Sequence, residues 1–312
     1  MRHPSTALLL TAGLGTRLRP LTQVRAKPAL PVAGQPMVAR IIRWLAAAGI
    51  ADVVLNLHAL PETITSIVGD GGQFGVRARY SWEQPKVLGS AGGPRQALDI
   101  LGADTFLIVN GDTLTDLSIQ PLIESHVAGG SLVTMAVIPN PRPDHYSGLR
   151  VADDGAVLGV VPRGSTLPSF HFVGVQVAHS QAFAGAPKGR PSNSVGGVYT
   201  DLIDSQPGSI RAHVCEGRFW DIGTVDDYRI TSNVFDPSKV LSLPPSTVLG
   251  PGARVVDSIV WDDVVIGAGA TIAGCIVTDG VRVDAGAAYS DAILLRGEGG
   301  RTVITPLKPE GE

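Results

Sequence analysis

Residues 13–28 read Gly13-Leu14-Gly15-Thr16-Arg17-Leu18-Arg19-Pro20-Leu21-Thr22 and then, four residues on, Lys27-Pro28. Glycines let backbone N–H groups approach phosphate oxygens, and Arg17 and Lys27 would supply charge to a triphosphate. Spacing excludes two other phosphate loops. A dinucleotide fingerprint needs a third glycine where Leu18 stands, and a Walker loop needs Gly-Lys-Ser/Thr closing the turn. Asp112, after a strand-like run, reads alone as a turn-forming residue, and Asp221 reads alone as a helix cap. His58, His126, His145, His171, His179 and His213 show no metal-ligand spacing. Cys215 and Cys275 lie far apart and read as reduced thiols.

These residues need elements to position them. The apolar run 7–10 ends in Thr11-Ala12-Gly13 and predicts a buried strand entering a loop. Residues 36–48 carry apolar side chains at helical spacing and stop at Gly49, a helix-ending residue type. Residues 52–56 form another strand-like run, which completes a strand–loop–helix–strand unit. Residues 106–109 predict a third buried strand, ending in Asn110-Gly111-Asp112. Ligands of such sheets bind beyond the carboxyl ends of the strands, so the Gly13 loop and Asp112 are expected on one edge. Further strands are expected at 132–138, 155–161, 170–177 and 210–215, with 124–127 in a helix. The expected class is α/β, a Rossmann-like, mixed and mostly parallel sheet with flanking helices over residues 1–236.

After about Asp236 the composition changes. Leu249-Gly250-Pro251-Gly252-Ala253 recurs as Ile266-Gly267-Ala268-Gly269-Ala270 and as Val283-Asp284-Ala285-Gly286-Ala287, a step of 17 residues. Ser258-Ile259-Val260, Cys275-Ile276-Val277 and Ala292-Ile293-Leu294 repeat at the same step. One aliphatic residue per six-residue unit, with small residues at corners, predicts a short left-handed parallel β-helix of hexapeptide repeats over 237–300. Residues 301–312 read as a polar tail.

The first segment, taken with two later ones, resembles the signature of the sugar-1-phosphate nucleotidylyltransferases. Thr11–Thr22 with Lys27-Pro28 matches the family's phosphate loop. Asn110-Gly111-Asp112 resembles its metal-binding aspartate at a strand end, and Phe219-Trp220-Asp221-Ile222-Gly223-Thr224 with Asp227-Tyr228 resembles its second metal segment. The resemblance spans about residues 7–235, and several members carry the same kind of β-helix. It implies transfer of a nucleotidyl group from a nucleoside triphosphate to a sugar 1-phosphate, with pyrophosphate leaving. It also implies Arg17 and Lys27 as catalytic cations and a Mg2+ ion held by Asp112 and Asp221. Leu10, Ala12, Gly13, Gly15, Thr16, Glu83, Gly89, Ser90 and Asp112 are implied in nucleotide binding. Gly148, Arg163 and Gly174 are implied at the sugar phosphate.

Leu88-Gly89-Ser90-Ala91-Gly92 resembles a stretch shared by mannose-type guanylyltransferases and uridylyltransferases, so it does not choose the base. Where many members have Glu-Lys-Pro, this chain has Pro162-Arg163-Gly164, which leaves Arg163 as the cation for the sugar phosphate and removes the Glu contact. His171 is the one histidine near the expected sugar site. The first expectation is GTP with mannose 1-phosphate or a related hexose or heptose phosphate. The alternatives are a UTP-dependent enzyme of the N-acetylmuramate or N-acetylglucosamine type, and a non-catalytic nucleotide-binding subunit.

Composition narrows the partners. With a formal net charge of -3, no polyanion-binding surface is expected, hence no nucleic acid, and anionic ligands must be held locally. No apolar run approaches the ~18 residues of a membrane span, and the leading apolar run is too short for a signal peptide. A cytoplasmic protein is expected, self-associating through the β-helix, whose edges need covering.

Overall fold

The apolar runs bury as the patterns require. Leu8, Val54, Phe106 and Ile108 are completely inaccessible and join one core with the strands and helices around them. The computed structural model describes residues 4–236 and 243–307. In chain order the elements to residue 235 are β1 (Thr6–Leu10), β2 (Pro31–Val32), β3 (Gln35–Pro36), α1 (Met37–Ala47), β4 (Asp52–Leu57), α2 (Pro61–Val68), β5 (Arg77–Trp82), α3 (Gly89–Leu101), β6 (Thr105–Asn110), β7 (Thr113–Thr115), α4 (Ile119–Gly129), β8 (Val133–Pro139), β9 (Gly148–Val151), β10 (Val157–Val161), β11 (Phe170–His179), α5 (Tyr199–Ser205), β12 (Ile210–Val214), β13 (Phe219–Asp221) and α6 (Val225–Phe235).

The chain divides into two compact units. The first contains the mixed sheet, ordered β10-β9-β11-β6-β1-β4-β5, with β8 between β11 and β12. Strands β6, β1, β4 and β5 run parallel, and β11 lies antiparallel to β6, β8 and β9. Thr6 pairs with Asp52 and Leu10 with Asn110, so the loops after β1 and β6 leave the same sheet edge. The shared edge expected for the Gly13 loop and Asp112 follows from this register.

His126 on α4 is fully buried, with Nδ1 3.0 Å from Thr134 Oγ1. Burial, and secondarily the charge of His179, lowers its pKa from 6.5 to about 4. The unfolded chain therefore takes up this proton before the folded one does. The contribution to stability is complete above the unfolded value and is lost as pH falls from 6.5 towards 4. Urea unfolding should show lower stability at pH 5 than at pH 7, and His126→Gln should shrink that difference. An unchanged difference in the variant would exclude His126 as its source.

The second unit comprises Thr16–Arg25, Leu30–Pro36 and Ile222–Glu312, so two pieces of the N-terminal signature belong with it. Short strands stack in three parallel ladders: β14 (Val248–Leu249), β17 (Val265–Ile266) and β20 (Arg282–Val283); β15 (Arg254–Val256), β18 (Thr271–Ala273) and β21 (Ala288–Ser290); and β16 (Ile259–Val260), β19 (Ile276–Val277) and β22 (Ala292–Arg296). Val248 faces Val265, which faces Arg282; Ile259 faces Ile276, which faces Ile293. Each pairing repeats the 17-residue step, as a parallel β-helix requires. Its interior is apolar, with Val264, Ile266, Ile272, Val281 and Leu294 fully buried.

The corners explain the glycines. A Cβ on Gly250 would sit 2.5 Å from Ala268 N, and one on Gly267 would sit 2.6 Å from Ala285 N, because the next coil's backbone passes directly over each. The third equivalent residue is Asp284, and among the described residues no strand pairs beyond β20. Residues 301–307 correct the expected tail: β23 (Thr302–Pro306) pairs antiparallel with β22 along its whole length. Residues 237–242 and 308–312 of the expected β-helix and tail lie outside the described residues.

Candidate active site

The first unit holds a pocket of about 200 Å³ lined by Leu10, Ala12, Gly13, Asn56, Glu83, Val87, Gly89, Ser90, Asn110 and Asp112. Seven of these are residues expected from the sequence to bind nucleotide. Gly13 is exposed, and a Cβ there would meet nothing within 4 Å, leaving its backbone open to a ligand.

Asn56, at the end of β4, was not foreseen and connects three segments. Its Oδ1 accepts from Thr11 N at 2.5 Å and Ala12 N at 3.3 Å, its carbonyl accepts from Thr11 Oγ1, and its Nδ2 donates to Glu83 Oε1 at 2.7 Å. Glu83 is fully buried, and its other oxygen accepts from Leu88 N at 2.6 Å. Both carboxylate oxygens are thus engaged by protein groups, and Glu83 braces the pocket wall. Ser90 is engaged as well: its hydroxyl lies 2.9 Å from both Ser194 N and Ser194 Oγ. Gly89 opens α3 at positive φ, where a Cβ would sit 2.8 Å from Ser192 O. The segment around residues 192–194, another contributor absent from the sequence reading, therefore fixes the start of α3.

Lys27 lies in a short helical turn and is only 8% exposed; its Nζ donates to Asp112 Oδ2 at 2.7 Å. A buried ammonium needs such a partner. Asp112 follows β6, and the adjacent strand β7 pairs antiparallel with β13 so that Asp221 faces Thr113. The two aspartates expected to hold a metal thus come from neighbouring positions of one small ribbon. Two carboxylates suit a hard divalent ion that keeps water and phosphate oxygens in its remaining positions. Among the described residues, no group of three or more His, Cys, Asp or Glu forms a richer metal site.

Of the residues expected at the sugar phosphate, Gly148 and Val161 face each other at one end of the β9–β10 hairpin, and exposed Arg163 follows two residues after Val161. Gly174 has positive φ in β11, and a Cβ there would lie 2.9 Å from Asn110 Nδ2, which places it against the turn carrying Asp112. Tyr146, His171 and Phe219 form a ring cluster, with centroids 4.3 Å apart between the first pair and 4.8 Å between His171 and Phe219. Burial lowers the His171 pKa, partly opposed by the hydrogen bond that the ring donates to the Ser147 backbone. Residues so distant in sequence left no signal of their meeting beyond their aromatic type.

Thr16 and Arg17 belong to the second unit, where Arg17 is exposed on a short helical turn. A Cβ on Gly223 would come within 3.2 Å of Arg17 Nη2, so the guanidinium rests on bare backbone there. Gly15, which ends the first unit's portion of the loop, has φ of 59°.

Residues 6–235 match the family described as Nucleotidyl transferase. The chain is 34% identical over 221 residues to N-acetylmuramate alpha-1-phosphate uridylyltransferase of Neisseria meningitidis, covering 70% of this chain and 93% of that protein. It is 28% identical over 227 residues to a mannose-1-phosphate guanylyltransferase of Mycobacterium tuberculosis, covering 72% of this chain and 63% of the relative. The crystal structure of HddC from Yersinia pseudotuberculosis shares the fold, with a TM-score of 0.64 at 23% identity over 74% of this chain and 99% of that one. With a family match across most of its length, and with the Gly13 loop, Lys27 and Asp112 gathered at one sheet edge, the chain belongs to the nucleotidyl transferase family, as an enzyme of the sugar-1-phosphate nucleotidyltransferase type.

Proposed function

We propose that this enzyme condenses a nucleoside triphosphate with a sugar 1-phosphate, with UTP as the favoured nucleotide. The observation that carries the reaction is the ion pair of buried Lys27 with Asp112, 2.7 Å apart, beside the ribbon bearing Asp221 and the Gly13 pocket. A sugar phosphate oxygen is already an anion, so its attack on the α-phosphorus needs no protein nucleophile or strong base. The obstacle is holding two polyanions in line, which is a matter of positioning and charge neutralisation. Lys27 is assigned to the phosphates around the reacting centre and Arg17 to the β- and γ-phosphates. Backbone N–H groups of the Gly13 loop complete the cradle.

Asp112 and Asp221 would hold the divalent ion, proposed to be Mg2+, which when bound neutralises phosphate charge and orients the oxygens. The Tyr146–His171–Phe219 cluster offers an apolar wall to one face of a sugar, near the hairpin end bearing Gly148 and Arg163. Arg163→Ala should raise KM for the sugar phosphate more than KM for the triphosphate. The opposite ratio in steady-state kinetics would move Arg163 out of that site.

UTP is favoured because the Glu-Lys-Pro motif is absent and because the uridylyltransferase relative is matched over nearly its whole length. GTP is the second reading, supported by the guanylyltransferase match. Pyrophosphate release, measured across a panel of triphosphates and sugar 1-phosphates, tests both. Release with GTP alone would replace UTP, and nucleotide binding without release for any pair would leave a non-catalytic subunit.

No described helix is long and apolar enough to cross a membrane, and both cysteines are free thiols, which fits the proposed cytoplasmic location. Self-association through the β-helix is proposed from its exposed apolar residues, Val248, Leu249 and Val256 among them. Light scattering of the full chain and of Val248→Lys/Val256→Lys should give a smaller mass for the variant. Equal masses would place any association elsewhere.

A further inference from the structure

The Thr16–Arg25 segment carries Arg17 and joins, through direct peptide bonds, Gly15 on one side and the turn bearing Lys27 on the other. It nevertheless packs as part of the β-helix unit. Leu18 and Leu21 are fully buried within it. At its end, Arg25 reaches two successive coils. Nε and Nη2 donate to the two carboxylate oxygens of Asp279 at 2.7 and 2.6 Å, and Nη2 also donates to Asp262 Oδ2 at 2.5 Å.

Asp262 and Asp279 are one 17-residue step apart and therefore stacked; Asp279 Oδ1 also accepts from Asp262 N at 3.1 Å. The guanidinium lies over Trp261, 5.3 Å from the ring centroid. Trp261 is fully buried and donates Nε1 to Tyr228 Oη at 3.0 Å, and that hydroxyl donates to Pro31 O at 2.6 Å. The Arg25 side chain is only 12% exposed. A planar fork spanning two carboxylates and stacked on an indole fixes both position and orientation, far beyond what a surface ion pair would do.

We propose that the β-helix is a working part of the catalytic machinery, and that Arg25 is the positioning residue through which its Asp262–Asp279 ladder holds the arginine-bearing segment of the phosphate loop. This rests on the nucleotidyl-transfer reading above. Misplacing a catalytic group by about 1 Å can lower turnover 10²-fold, so freeing the segment should act mainly on kcat. A simple stabilising role would act only on melting.

The test uses the full chain with Asp262→Asn/Asp279→Asn and, as a milder variant, Arg25→Lys, which keeps the charge but loses the fork. Hydrogen exchange and steady-state kinetics are followed together. The expected result is faster amide exchange confined to residues 16–25, with α3 and β6 unchanged, and kcat at least about 10-fold lower in the double variant, with a smaller fall in Arg25→Lys. Unchanged exchange in residues 16–25, wild-type kcat, or exchange that rises uniformly through the chain would each overturn the proposal. If the wild type turns over no substrate pair, the reaction assigned above fails, while local exchange still decides whether Arg25 anchors the segment.

Discussion

Asp112→Asn lowers kcat by about 10²-fold or more, by comparison with the loss of one preorganised charged group at other reacting centres. In the proposed site this carboxylate would have two tasks. One oxygen accepts from Lys27 Nζ at 2.7 Å, and the other lies 3.4 Å from Oγ1 of Thr113, the residue paired with Asp221 across the ribbon. The amide keeps the shape but removes the negative charge that a divalent ion requires. It also leaves the buried Lys27 ammonium without its counter-ion. The loss should therefore persist at saturating metal and saturating triphosphate, which separates it from weakened binding. Steady-state rates across a metal titration check this, and wild-type turnover at any metal concentration would remove Asp112 from the role of ligand.

The second large effect is on the pocket's frame. Asn56→Ala strands Thr11 N, Ala12 N and the Glu83 carboxylate, all in a region where Glu83 is fully buried and Thr11 nearly so. Each unsatisfied buried group costs about 1–3 kcal/mol, so a loss of roughly 3 kcal/mol or more is expected. The same three bonds join the end of β1, the end of β4 and the segment before α3. KM for the triphosphate should therefore rise alongside the loss of stability. Urea unfolding and initial rates measured on one preparation check both. A loss below about 1 kcal/mol would mean that water replaces the side chain.

Much of this architecture was readable because its signals are local. The apolar runs ending at Thr11 and Asn110 bury as strands on one edge, and the 17-residue phase of the β-helix returns residue for residue in the ladders. Helix α3 was not legible. It opens on Gly89-Ser90-Ala91-Gly92-Gly93-Pro94, a sequence whose propensities oppose a helix. Its glycines answer to distant partners: a Cβ on Gly92 would lie 2.7 Å from Arg190 O, and one on Gly93 would lie 2.6 Å from Glu83 Oε1. Asn56 looked like an ordinary strand end for the same reason, since what it binds comes from residues 11 and 83. Strand β23 did leave a signal, the β-branched run Thr302-Val303-Ile304-Thr305, which the charged residues following it obscured.

The corner residue Asp284 has a consequence for how such chains can lengthen. At Gly250 and Gly267 the absence of a side chain admits the backbone of another turn, whereas the equivalent corner residue Asp284 is exposed and carries a side chain. Duplicating a 17-residue unit at this end would therefore fail unless position 284 were also changed to glycine. In the neighbouring ladder, β23 laid along β22 already takes up the edge of that strand, so no further coil can pair there.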